Sequence, residues 1–187
     1  FFEKEKYGGI LCDIGSHQIE QYLFYAGEED GTVSRSRIAN YAHPQYPELD
    51  DFGDCAINGA NGTTFYFRVD WFTPDGLPTW GDGRLFLLGT KGTIELRKYV
   101  DIAGRSGADH VFLTDAKGVQ HIDASAEPLR YFPRFLADVR DRSHTAMPVG
   151  HALTVIDIHL AAISLDEELF RRCGLVGHGR RSLGMGR

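Results

Sequence analysis

Between Thr32 and Asp123 the chain carries seven short β-patterned segments and no stretch of helical period, and this run limits the possible folds more than any other feature of its 187 residues. The clearest segment is Thr63–Phe72. Thr63, Phe65, Phe67, Val69 and Trp71 alternate with Thr64, Tyr66, Arg68, Asp70 and Phe72, which reads as a strand with one bulky apolar face. Thr32–Tyr41, Cys55–Asn58, Arg84–Leu88, Thr93–Arg97, His110–Thr114 and Val119–Asp123 read as the other strands. The gaps Gly89-Thr90-Lys91-Gly92 and Asp115-Ala116-Lys117-Gly118 have the composition of hairpin turns. Strands joined this tightly, with no helix between them, must pair antiparallel.

Helical periodicity flanks the run. Ile19, Tyr22, Leu23 and Ala26 make one apolar face of a helix over residues 13–26, with Asp13 or Ser16 as its cap and Gly27 as its stop. Phe132, Phe135, Leu136 and Val139 form a second stripe. A longer helix is predicted over His151–Arg172, with Leu153, Ile156, Leu160, Ile163 and Phe170 as its apolar set. The expected fold class is α+β: a mostly antiparallel open sheet with helices packed on one face. One domain is expected over residues 1–174, followed by a mobile tail over 175–187.

A hydrophobic share of 42% and a charged share of 25% suit one domain with a sizeable core. The net charge of −6 argues against nucleic acid as a partner. Five arginines lie between Arg171 and Arg187 with no carboxylate among them, so the rest of the chain is more acidic than the total implies. No apolar run is expected to reach the roughly 20 residues of a membrane span. Cys12, Cys55 and Cys173 fit neither a disulfide framework nor a zinc pattern, which suggests a reducing, cytoplasmic setting. The opening residue is Phe1, and the first segment looks like the interior of a longer protein rather than a leader.

The segment richest in chemistry is Tyr7-Gly8-Gly9-Ile10-Leu11-Cys12-Asp13-Ile14-Gly15-Ser16-His17. Asp13 and His17 are four apart at a helix start, so they are expected to share a face one turn apart. A carboxylate beside an imidazole can orient the ring and raise its basicity. Gly8, Gly9 and Gly15 remove bulk around the pair, which would let a ligand or another backbone approach. Spacing alone leaves a second reading open, with Asp13 a helix cap and His17 packed or solvated. The loop Asp70–Gly83 carries both tryptophans, Trp71 and Trp80, and suits either a pocket wall or the cover of a sheet edge. No G-x-G-x-x-G occurs, so the chain has no dinucleotide fingerprint. The remaining histidines form no metal spacing and should be solvated or satisfied locally.

Taken in order, these segments resemble the C-terminal domain of the glucose–fructose oxidoreductase, inositol dehydrogenase and rhizopine-catabolism family. Gly8 to His17 fit its Gly-Gly run, aliphatic pair and D-x-G-x-H helix opening. The Asp-Trp loop, the hairpin Arg84–Leu96 and the closing helices through Phe135-Leu136, Pro148 and Ala161-Ala162-Ile163-Ser164 follow in the family's order. Tyr7 stands where the family has a third glycine, and the end of the chain departs from its closing strand. The resemblance implies an NAD- or NADP-dependent oxidoreductase of a sugar, polyol or related hydroxylated compound. The nucleotide and a catalytic lysine would be supplied by a separate Rossmann domain, so this chain alone is expected to be inactive. It also implies that His17 accepts a substrate hydroxyl proton, that Asp13 binds the hydroxyl or orients the ring, that Gly8 and Gly9 border the substrate, and that the open sheet forms homo-oligomers. The alternatives are a non-catalytic binding or scaffold module on the same domain, and redox-assisted glycoside cleavage or elimination with tightly held NAD. A metal-dependent hydrolase is further away, since Asp13 and His17 are only two ligands.

Overall fold

The structure is a computed structural model that describes residues 2–172; Cys173 and the expected tail over 175–187 lie outside the described residues, as does the side chain of Phe170. The chain divides into two compact units, Phe1–Phe72 with Arg134–Arg187, and Thr73–Pro133. All strand pairings are antiparallel and the helices flank the strand run, as the sequence predicts, but the seven strands form two sheets instead of one.

In the first unit a short helix α1 (Lys4–Tyr7) leads into a wide π-helical turn, Leu11–Gly15, that continues as α2 (Ser16–Ala26). Strands β1 (Thr32–Ala39), β2 (Phe52–Asn58) and β3 (Thr64–Asp70) follow, with β2 central. Their register sets Ser36 opposite Cys55 and Cys55 opposite Phe67. Gly27 ends α2 in the left-handed region at φ 66°, as expected of a C-terminal glycine. The predicted helix start is corrected. The helical path begins at Ile10, and neither Asp13 nor Ser16 caps it with its side chain. Strand β2 also begins three residues earlier than the apolar run suggests, at Phe52, because Gly53 and Asp54 are paired in the ladder although neither carries an apolar signal.

The core joins Ile10, Leu11, Ile19, Tyr22 and Leu23 to Ile38, Cys55, Ile57, Phe67 and Val69 of the sheet. Burial, with Asp54 as a lesser influence, pushes the Cys55 thiol up to about 12, so it packs as a small apolar group.

Helix α4 (Val149–Arg172) lies along β1 and against α2. Its buried stripe is Val155, Ile158 and Ala162, whereas the predicted Leu153, Ile156 and Leu160 are 53%, 44% and 51% exposed. Apolar residues cover so much of this helix that periodicity could not select which face packs. Between Val149 and Leu169 it also reaches the length of a membrane span with mean hydropathy 1.3, contrary to the sequence expectation. Its buried face packs on β1 and α2. Asp166 accepts a hydrogen bond from the Ile38 amide (3.0 Å), which occupies a donor on edge strand β1 that would otherwise lack a ladder partner.

Helix α3 (Tyr131–Asp141) forms where predicted, but its apolar stripe is not buried: Phe132, Phe135, Leu136 and Val139 are all exposed, and the buried residue is Asp138. Asp138 accepts hydrogen bonds from the amides of Ala146 and Thr145 (both 2.8 Å) and from the Ser143 hydroxyl (2.7 Å). The Ala146 and Thr145 amides, with Ser143, hold its carboxyl well below the usual carboxylate range. A depressed folded value stabilises the fold above the unfolded value and loses that contribution as pH falls through it. The urea midpoint should therefore begin to fall below about pH 4 and keep falling as the solution is made more acidic, and Asp138→Asn should flatten that fall relative to wild type. An unchanged pH dependence in the variant would remove Asp138 from acid stability.

The second unit is a four-stranded meander of β4 (Arg84–Gly89), β5 (Gly92–Arg97), β6 (His110–Asp115) and β7 (Gly118–Asp123) in sequential order. Both predicted hairpins form, with the β4–β5 pair closing at Gly89 and Gly92 and the β6–β7 pair at Asp115 and Gly118. The loop after β5 is organised by Asp101, which pairs with Arg97 and with Arg105 (3.5 Å). Both guanidiniums lie over the Phe112 ring, at 5.1 and 5.6 Å. His110 Nδ1 is 3.0 Å from His121 Nε2 on the neighbouring strand.

Candidate functional site at the glycine turn

Two successive left-handed residues, Gly8 at φ 79° and Gly9 at φ 91°, turn the chain from α1 into the π turn. The Gly8 amide closes α1 on the Lys4 carbonyl (2.8 Å). The Gly9 carbonyl then accepts from Cys12 (3.1 Å) and Asp13 (3.0 Å), which starts the helical path. On their Cβ side the glycines make room for the protein's own side chains. A Cβ at Gly9 would stand 2.5 Å from the Asp50 carboxylate, one at Gly8 would stand 2.9 Å from Cys12 Sγ, and one at Gly15 would stand 3.2 Å from the Phe67 ring.

Tyr7, the departure from the family's third glycine, also has a task. Its hydroxyl accepts from the Asp50 amide (2.8 Å) and donates to the Glu48 carbonyl (3.4 Å), tying the turn to the segment before β2. Lys4 Nζ lies 3.8 Å from Asp50 Oδ2 on the same side. Leu11 fills the room left by Gly53, where a Cβ would come within 2.8 Å of its side chain. The turn is thereby pinned against the start of β2 from both ends.

Asp13 lies in the π turn and is half-buried; His17 lies on the first turn of α2 and is exposed. Asp13 and His17 flank the passage from the π turn into α2, and no hydrogen bond joins their side chains. Both polar ends are left available beside a backbone that is fixed. Single π turns of this kind carry a cost in hydrogen-bond geometry and concentrate at functional sites. The tryptophans separate: Trp71 is half-buried against the core of the first unit, whereas Trp80, in the second unit, is 83% exposed.

The structure joins one pair that the sequence reading did not single out. His43 Nδ1 donates to Asp51 Oδ2 (2.9 Å), and the Asp51 carboxylate also accepts from the Tyr41 and Ala42 amides (both 2.8 Å). Seven residues of loop with two prolines separate them, and no periodicity relates positions in such a loop. His159, by contrast, is buried on α4, and burial pushes its imidazole below the ordinary range. Among the described residues no group of three or more His, Cys, Asp or Glu side chains is arranged to hold a metal ion.

Among the described residues there is no parallel strand–helix–strand unit. The strand pairs are all antiparallel, and a nucleotide cradle of the Rossmann kind needs a parallel strand–helix–strand unit opening on a glycine-rich turn. The fold and the glycine turn define an α+β domain whose described strands all pair antiparallel. The profile described as the GFO/IDH/MocA C-terminal domain matches residues 1–95, and the chain belongs to that family.

Solved structures agree. An oxidoreductase structure from Erwinia carotovora atroseptica SCRI1043 is similar at 49% identity and TM-score 0.85, over 88% of this chain and 50% of that one. One from Thermotoga maritima has 24% identity and TM-score 0.74 over 90% of this chain and 48% of its own. An oxidoreductase from Agrobacterium radiobacter, in complex with NAD+, L-tartaric acid and magnesium, has 19% identity and TM-score 0.68 over 84% of this chain and 47% of its own. The chain thus spans about half the length of these structures. No curated protein matches it.

Proposed function

We propose that this chain is the substrate-binding and oligomerisation half of an NAD- or NADP-dependent oxidoreductase that acts on a sugar, polyol or related hydroxylated compound. The observation that carries the reading is the π turn Leu11–Gly15, held by two left-handed glycines and leading directly to an exposed His17. The nucleotide, bound by the other half, supplies hydride acceptance. The residues here handle the hydroxyl. His17 takes its proton, without which loss of hydride from the same carbon would leave an unstable oxocarbenium-like centre. Asp13 hydrogen-bonds the hydroxyl or orients the imidazole, and the Gly8-Gly9 backbone borders the substrate. The tartaric acid in the Agrobacterium radiobacter structure is itself a hydroxylated compound and supports this substrate class.

Self-association through the four-stranded sheet is part of the proposal, in a cytoplasmic setting. Its support is a set of exposed apolar side chains on β4 and β7: Phe86 is 60%, Leu88 83% and Val119 73% exposed. The test is an assay of NAD+ and NADP+ reduction by the protein comprising this chain and its nucleotide-binding half, against sugars, polyols and hydroxy acids. Substrate-dependent reduction is expected, with none from this chain alone. Failure with every member of the three classes overturns the reading in favour of a binding module.

A further inference from the structure

The second histidine–carboxylate pair sits at the same end of the three-stranded sheet as the glycine turn. Asp50 and Asp51 immediately precede β2; the Asp50 carboxylate abuts Gly9, and Gly53 abuts Ile10 and Leu11. Asp51 is fully buried, and its backbone bridges the ends of both neighbouring strands: its amide donates to the Ala39 carbonyl and its carbonyl accepts from the Trp71 amide (both 3.0 Å). The Asp51 carboxylate is therefore a fixed point of that sheet end.

His43 is held more firmly than a loop residue needs to be. The Asn40 side chain accepts from its amide (3.0 Å) and donates to its carbonyl (3.0 Å), so one side chain fixes the backbone on both sides. Asp51 fixes the ring through Nδ1, and the Phe72 ring lies nearly parallel to it, 7° apart in plane and 6.5 Å between centroids. The His43 side chain nevertheless stays 34% exposed. With Nδ1–H committed to a buried carboxylate, the neutral ring has one tautomer and its Nε2 is a bare acceptor. A fixed acceptor that stays partly exposed is matched by a hydroxyl donor.

We infer that His43 is a second substrate-contacting imidazole of the proposed site, whose Nε2 accepts a hydrogen bond from another hydroxyl of a polyol substrate, with Asp51 as its positioning residue. This rests on the function proposed above. Two histidines with separate tasks then divide the substrate: His17 takes the proton of the reacting hydroxyl, and His43 selects for a further one. A compound with a single hydroxyl would lose the second contact.

The experiment follows the ring nitrogens of the full chain by 15N NMR while myo-inositol is added as the probe. Saturable shifts at both His17 and His43 Nε2 are expected. His43→Gln should then weaken myo-inositol binding by about tenfold, the loss of one net hydrogen bond, with an unchanged melting temperature. A shift at His17 with none at His43, or undiminished affinity in a folded His43→Gln, overturns the role of His43 and leaves the proposed function standing. No saturable shift at either ring overturns the placing of both histidines at a polyol site, while the proposed function is decided by the wider substrate assay. If His43→Gln does not fold, the wild-type ring shifts decide the matter by themselves.

Discussion

Replacing His17 by alanine should lower turnover of the intact oxidoreductase by about 100- to 10,000-fold, the usual contribution of one positioned general base. The loss should fall on kcat, because proton acceptance is realised in the transition state and contributes little to ground-state binding. Nucleotide affinity should not change, since the role proposed for His17 is toward the substrate hydroxyl and not the nucleotide. Structural damage is a poor alternative explanation: His17 is exposed on the surface of α2, and its backbone carbonyl, which accepts from Gln21 Nε2 (3.0 Å), survives the substitution. Asp13→Asn separates the two roles open to Asp13. A carboxylate that only accepts the substrate hydroxyl is partly replaced by the amide oxygen, whereas one that orients an imidazole is not. Steady-state kinetics of both variants is the measurement, and wild-type turnover in His17→Ala would remove this residue from the mechanism.

Leu11→Ala should destabilise the first unit by about 2–5 kcal/mol, the range for truncating a fully buried leucine. Leu11 is 0% exposed and fills the space that Gly53 and Gly15 leave open, so the cavity it vacates is ringed by backbone and by the Phe67 ring. Such walls collapse poorly, which puts the cost toward the upper part of the range. Because Leu11 is the first residue of the π turn, part of the turn's register should be lost with it. Urea unfolding should show a lowered midpoint with an unchanged slope. A loss below about 1 kcal/mol would mean that the turn is not anchored by this side chain.

Much of this was legible in the chain itself. Period-2 alternation in Thr64–Asp70 and hairpin turns of glycine, aspartate and lysine are local signals, set by side-chain geometry and by backbone freedom over a few residues. The α2 face of Ile19, Tyr22 and Leu23 and its stop at Gly27 are equally local, and the structure keeps them. Asp13 and His17 could be read as candidates because they stand four positions apart, a spacing that a sequence can state.

Contacts between distant segments decided the rest. Helix α4 is apolar around much of its girth, so the choice of Val155, Ile158 and Ala162 over Leu153, Ile156 and Leu160 was made by β1 and α2 and not by the helix. The stripe on α3 stayed exposed while Asp138 went inside, because the returning segment Ser143–Ala146 brought four hydrogen-bond donors to one carboxylate. On their Cβ side Gly8, Gly9 and Gly15 seat Cys12, Asp50 and Phe67, and the His43–Asp51 pair formed across a loop that has no period to read. Burial is a property of what arrives from elsewhere in the chain. Amino-acid sequence states which faces are able to pack, and only the tertiary structure chooses among them.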